Sequence, residues 1–169
     1  MTFEAPATDW AEAAEHEAGA LVRLRRAPIG VVFTDPQIGI VGGGFRSLPP
    51  GSFATGRVSF EDQGRARILL RNKGLMNVYA EKASGRFLGA EMLAPGGEHL
   101  AHLLAWALQN RMTVEQMLEM PYYHPVLEEG LRTALHDVNA KLRAARRAVE
   151  RGLEEADADA VHMRMAVEE

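Results

Sequence analysis

The chain contains no cysteine among its 169 residues. That excludes disulfides, thiolate metal sites, a cysteine nucleophile and a redox-active dithiol within the chain. The same absence fits a cytoplasmic setting, where thiols stay reduced. No apolar run approaches the ~18 residues of a membrane span, so none is expected. The opening, MTFEAPATDW, lacks both a basic stretch and an apolar run, so no secretory signal is expected. A basic stripe with interleaved aromatics is also missing. Together with a formal net charge of −4, this argues against a nucleic-acid binder. Internal repeats and a phosphate-loop lysine pattern are absent as well.

What is present is the composition of an ordinary folded domain, 47% hydrophobic and 25% charged. A chain of this length buries roughly two-thirds of its unfolded surface, enough for a core without staples. Residues 1–28 read as an extension or linker. Within them the Ala/Glu-rich stretch from Asp9 to Leu24 is predicted to be helical, with Asp9 at its N-cap and Pro28 beyond its end.

From residue 29 the texture is that of strands. IGVVF (29–33) and QIGIV (37–41) flank an Asp35-Pro36 break, and residues 45–55 read as a loop. RVSF (57–60), ARILLR (66–71), LMNVYAEK (75–82) and FLGAEML (87–93) are joined by short turns, which predicts an antiparallel meander. From residue 95 the period becomes 3.6. Leu100, Leu103, Leu104, Ala107 and Leu108 share one helix face. Thr113 with Gln116 forms a capping-box pattern for a second helix. Pro125 is predicted in the first turn of a third, which carries Leu127, Leu131, Leu135 and Val138 to about Arg151. Strands first and helices last predict the α+β class, an antiparallel sheet with helices packed on one face. The core domain is placed at 29–138, followed by a helical extension and an acidic tail over 139–169.

Three features bear on chemistry. Gly42, Gly43 and Gly44 lead into Phe45-Arg46-Ser47 and two prolines, not into a helix, so they are not a dinucleotide cradle. Glu98 and His102 stand four apart on a helix, as metal ligands do, but no third ligand is near; the expectation is a solvated face and no metal site. Finally, Tyr122-Tyr123-His124-Pro125 is followed by Glu128 and Glu129. Histidine titrates near neutrality, and a carboxylate bonded to one ring nitrogen orients it for acid/base work. Helix spacing favours Glu128, while a histidine curling back from outside the helix reaches Glu129. The plain alternative is a helix start with two glutamates set favourably in its dipole.

Taken together, VVFTDPQIGIVG (31–42), GRFLGAEMLAPGGEHLAHLLAWALQ (85–109) and MTVEQMLEMPYYHPVLEEGLRTAL (112–135) resemble a known family. It is the C-terminal dimerisation domain of FAD-dependent pyridine nucleotide-disulfide oxidoreductases, in its dihydrolipoamide dehydrogenase-like branch. The resemblance implies a homodimer in which His124 reaches the partner's active site as acid/base for dithiol–disulfide exchange. It implies that Glu129 orients His124, that the His124 carbonyl contacts the flavin, and that the His124–Pro125 bond is cis. FAD and NAD(P) would belong to a parent enzyme, because this chain has neither dinucleotide fingerprint nor redox cysteines. Lack of a terminal cysteine pair argues against mercuric reductases. The chain alone is expected to be redox-inert, either as part of such an oxidoreductase or as a stand-alone dimeric module without redox activity.

Overall fold

The computed structural model describes residues 26–165, with side chains described through residue 153. The helix expected from Asp9 to Leu24 lies outside the described residues. Five strands form one antiparallel sheet: β1 (Ile29–Val32), β2 (Gln37–Val41), β3 (Phe53–Ser59), β4 (Leu75–Glu81) and β5 (Phe87–Ala94). Four helices accompany them: α1 (Gly64–Ile68), α2 (Gly97–Gln109), α3 (Val114–Glu119) and α4 (Glu128–Met165). The strand order is β1-β2-β5-β4-β3. The α+β class is as expected, and the meander proper is limited to β3–β4–β5. The β1–β2 hairpin joins through β2 to β5, so the connection after Val41 carries the chain across to the far edge.

The sheet has two unlike faces, and cross-strand register defines them. Gly39, Met92, Met76 and Val58 align across the strands on the face that receives α2 and α4. Val41, Met76, Val78, Ala80 and Ala90 are fully buried there, beneath Leu100, Leu104, Leu131, Leu135 and Val138 of the helices. Small residues set the distance between the layers. A methyl group on Gly56 would sit 2.1 Å from the Ala134 carbonyl oxygen, so α4 rests on bare strand backbone. The opposite face carries the rows Ile38–Leu93–Leu75 and Ile40–Glu91–Asn77–Arg57, and no described helix covers it.

Segment 66–71 corrects the sequence reading: it is not a strand. β3 pairs directly with β4, from Phe53 opposite Glu81 to Ser59 opposite Leu75, so residues 60–74 lie beyond the end of the ladder. There the Gln63 side chain caps α1 by accepting from the Ala66 amide at 2.7 Å. Ile68 and Leu70 are 61% and 89% exposed, which removes the burial that strand alternation promised. The loop expected at 45–55 is shorter than predicted. It contains a 3-10 turn at Phe45–Ser47 and ends where β3 begins at Phe53.

In α2 the inward stripe is rotated from the one predicted. Ala101 faces Gly39 on the sheet, whereas Leu103 is 42% exposed. Small side chains allow the closest approach, and they turn the larger Leu103 toward the rim. The capping box at α3 forms as read, Thr113 Oγ1 accepting from the Gln116 amide and Gln116 Oε1 from the Thr113 amide. α4 begins at Glu128, so Pro125 lies before the helix and not in its first turn. At its other end α4 runs past Arg151 to Met165. Among the described residues, no helix is long and apolar enough to cross a membrane.

Candidate functional site

The chain between α3 and α4 carries the residues singled out above. Pro121 ends the α3 region, and the His124–Pro125 bond is cis. Gln63 braces this loop: its Nε2 donates to the Val126 carbonyl at 2.7 Å while its Oε1 caps α1. Tyr122 is tucked inward, its hydroxyl donating to the Met117 carbonyl at 3.3 Å beneath the Arg132 guanidinium. Burial pushes the Tyr122 phenol pKa up.

His124 and Glu129 meet. His124 Nδ1 stands 2.8 Å from Glu129 Oε1, and the second carboxylate oxygen accepts from the Val126 amide at 3.1 Å. The histidine lies outside the helix and curls back over its first turn. That places the residue five positions on, and not Glu128, within reach. Glu129 is therefore clamped at both oxygens. The hydrogen bond from His124, followed by the one from Val126, holds its carboxyl pKa below the usual glutamate range. The His124 ring is 79% exposed. Among the described residues, Nε2 has no hydrogen-bond partner. One ring nitrogen is held and the other faces outward.

Beside this pair lies an apolar cavity of about 460 Å³ between α2, α3 and the loop. Leu103, Trp106, Met117, Met120, Tyr122 and Tyr123 contribute to its walls. Trp106 and Tyr123 are 68% and 81% exposed, unusual for aromatics of this size in a monomeric surface. The sequence reading did not pick out Trp106. Its position off the apolar stripe of α2 was the available signal.

Glu98 and His102 do not form a metal pair. His102 Nδ1 donates to the Glu98 carbonyl oxygen at 2.8 Å, and the Glu98 carboxylate lies 3.5 Å from His99. Among the described residues, no three His, Asp or Glu side chains gather at one point. A second polar cluster was also missed. On the open sheet face Tyr79 donates to Glu91 Oε2 at 2.6 Å, and Glu91 Oε1 accepts from the Phe45 amide at 3.1 Å. Burial and the adjacent carboxylate both raise the Tyr79 pKa. A side chain at Gly44, where φ is +72°, would strike Glu91 Oε1, so this glycine serves a close turn. A glutamate inside the apolar strand FLGAEMLA was the signal for this cluster.

The described residues do not form a site for a dinucleotide cofactor. Gly42–Gly44 open into a 3-10 turn of three residues. β5 does lead through Gly96 into α2, but the Glu98 amide there already donates to Gln37 Oε1 at 2.9 Å, and Glu98 itself sits in the first turn. Negative charge at that helix end opposes a phosphate.

Comparison with known proteins gives these features a context. The family model of the pyridine nucleotide-disulphide oxidoreductase dimerisation domain matches residues 29–135. A dihydrolipoyl dehydrogenase of Haloferax volcanii is 34% identical over 125 residues, covering 72% of this chain and 26% of that protein. A mercuric reductase of Acidithiobacillus ferrooxidans is 33% identical over 106 residues, covering 62% and 19%. Identity therefore does not separate these two branches. Among solved structures, LpdA from Mycobacterium tuberculosis superimposes with a TM-score of 0.62 at 25% identity, covering 67% of this chain and 25% of that one. The flavoprotein disulfide reductase RclA from Escherichia coli shares the fold, with a TM-score of 0.61 at 18% identity, over 66% of this chain and 26% of that one. The chain spans about a quarter of the length of these relatives. With its family model matched from the first strand into the last helix, the chain belongs to the dimerisation-domain family of the pyridine nucleotide-disulphide oxidoreductases.

Proposed function

We propose that this chain is the interface part of a flavin-dependent, dihydrolipoyl dehydrogenase-like disulfide oxidoreductase, and that it lends His124 of one copy to the reaction site of another. One observation carries this reading: an exposed imidazole, held at Nδ1 by Glu129, stands beside an exposed apolar surface. The hydrogen bond from Nδ1–H to the carboxylate selects the tautomer whose Nε2 bears the lone pair. In this role Nε2 takes the proton of a substrate thiol, leaving a thiolate to attack a disulfide, and returns it in the reverse direction. The disulfide must come from elsewhere in the assembly, since the chain has no cysteine. The flavin and nicotinamide sites must likewise come from other parts of the enzyme. Their chemistry is hydride and electron transfer; this chain contributes the exposed 123–125 loop to their edge.

Leu103 and Trp106 of α2, with Met120 and Tyr123, form the surface for the second copy, in a symmetric contact expected to exceed ~1,000 Å². The open sheet face, with Ile38, Ile40, Leu75 and Leu93 each partly exposed, is where the remainder of such an enzyme packs.

The test is a hybrid. Residues 29–135 replace the matching segment of the Haloferax volcanii dihydrolipoyl dehydrogenase, and dihydrolipoamide oxidation is measured. The expected result is an active dimer that loses about 10²–10⁴-fold in rate with His124→Gln, the span typical of a lost general acid/base. A folded, flavin-loaded hybrid whose rate is unchanged by His124→Gln would refute the acid/base role. It would favour the second reading, a dimeric module without redox chemistry.

A further inference from the structure

Glu128 does not hold His124; it lies instead on the wall of the apolar cavity between α2, α3 and the loop. Among the described residues that line this space, Glu128 is the one that carries a charge. Two of the other polar groups are already engaged. The Tyr122 hydroxyl donates to the Met117 carbonyl at 3.3 Å, and the Asn110 side-chain amide donates to the Trp106 carbonyl at 2.8 Å. Glu128 makes no ion pair among the described residues. A carboxylate beside an apolar space is costly to desolvate unless a cation shares that space.

The remaining walls suit such a cation. Trp106 comes from α2, Tyr122 and Tyr123 come from the loop, and the buried Met117 comes from α3. Among the described residues the close ring–ring contacts are those of Phe45, Phe53 and Tyr79, so the three cavity rings stand apart from one another. An aromatic ring is negative over its faces and attracts a cation within about 6 Å of its centre. The protein already uses one of these rings in this way: the Arg132 guanidinium stands 5.5 Å from the Tyr122 ring centre. Arg132 does not itself line the cavity. The volume of about 460 Å³ falls within the range of small-molecule pockets. We propose that the cavity binds a small alkylated ammonium ion, with its alkyl groups against Trp106, Tyr122 and Tyr123 and its charge toward Glu128. Alkyl groups suit the apolar walls, whereas a bare ammonium is strongly hydrated and loses more on entering them.

The cation comes as a free molecule and not as a side chain of the second copy. The four side chains assigned to that contact, Leu103, Trp106, Met120 and Tyr123, include no lysine or arginine. A two-fold contact presents the same surface from both sides, so it brings no charge to Glu128. The second copy would close the mouth of the cavity over the bound ion. Nothing in this assignment depends on the role of His124.

Choline is the probe. Its control is the uncharged alcohol with a tert-butyl group in place of the trimethylammonium, nearly the same in shape and different in charge. The full chain is titrated with each at constant ionic strength. NMR follows the methyl protons of the probe and the indole signals of Trp106. Choline is expected to bind more tightly than the alcohol, with its methyl signal moved upfield by the ring faces. Trp106→Leu should weaken choline binding about 3–10-fold, the range of a lost cation–π contact. Glu128→Gln should weaken it about 2–5-fold, the range of a partly exposed ion pair, and leave the alcohol unaffected. Both residues are accessible, so the thermal transition of each variant should stay in place and report that the fold is intact. Equal or tighter binding of the alcohol would show a plain apolar hollow and overturn the proposal. Absence of saturable choline binding, or a choline affinity unchanged in Glu128→Gln, would equally refute it.

Discussion

Gly56→Ala is expected to be among the most damaging single-methyl additions in this protein. The new Cβ would stand 2.1 Å from the Ala134 carbonyl oxygen and 2.8 Å from the Val138 side chain, both on α4. Real Cβ contacts do not fall below 3.0 Å, so α4 must retreat by about 0.9 Å or more. The clashing atom is helix backbone, which cannot turn aside as a flexible side chain does. Packed interiors transmit such a shift along the helix. Overpacking of this kind costs typically 1–3 kcal/mol, and the upper end applies when backbone must move. At about 2–4 °C per kcal/mol for a chain of this size, the melting temperature should fall by about 6–12 °C. Gly30→Ala is the control, because nothing lies within 4 Å of its Cβ and its φ is ordinary; it should change stability by less than about 0.5 kcal/mol. Differential scanning calorimetry of both variants against the parent provides the measurement. The movement should also register at the other site, because Glu129 rides on the first turn of α4: the His124 ring signals should shift in Gly56→Ala. A melting temperature within about 1 °C of the parent would show that the α4–β3 contact is not as close as the structure has it.

Leu104→Ala removes a side chain that is completely buried between α2 and the sheet, and should cost about 2–5 kcal/mol by urea denaturation. Thr113→Ala deletes the acceptor for the Gln116 amide and should cost ~1 kcal/mol in the same assay. The Glu129 carboxyl, titrated by carbon-13 NMR, should show a midpoint below that of free glutamate and move back up in His124→Asn. Its folded value is depressed, so its stabilising effect is present above the ordinary glutamate pKa and is lost as pH falls through the folded value. A Glu129 midpoint that stays put in His124→Asn would detach the two residues. Trp106→Glu places a charge on the exposed apolar surface of α2 and should abolish any contact that uses it, read by light scattering, with little change in melting temperature.

Local chemistry alone determined much of this protein. The strand-like runs at 37–41, 75–82 and 87–93 became β2, β4 and β5 nearly as bounded. The capping box at Thr113 formed, because caps are interactions between neighbours in sequence. The same holds for the core face of α4, where Leu131, Leu135 and Val138 follow helix spacing. Other features depended on contacts distant in sequence. ARILLR has the apolar content of a strand, but the direct pairing of Ser59 with Leu75 left it no edge to join. The order β1-β2-β5-β4-β3 depends on which edge β2 finds, and turn residues do not encode that choice. Leu103 matched the apolar stripe, yet Ala101 against Gly39 turned it outward and left Trp106 exposed beside it. Between Glu128 and Glu129 the sequence left an open choice. It was decided by a loop braced through Gln63, sixty-three residues from Val126, which holds His124 off the helix and brings it back over the second glutamate.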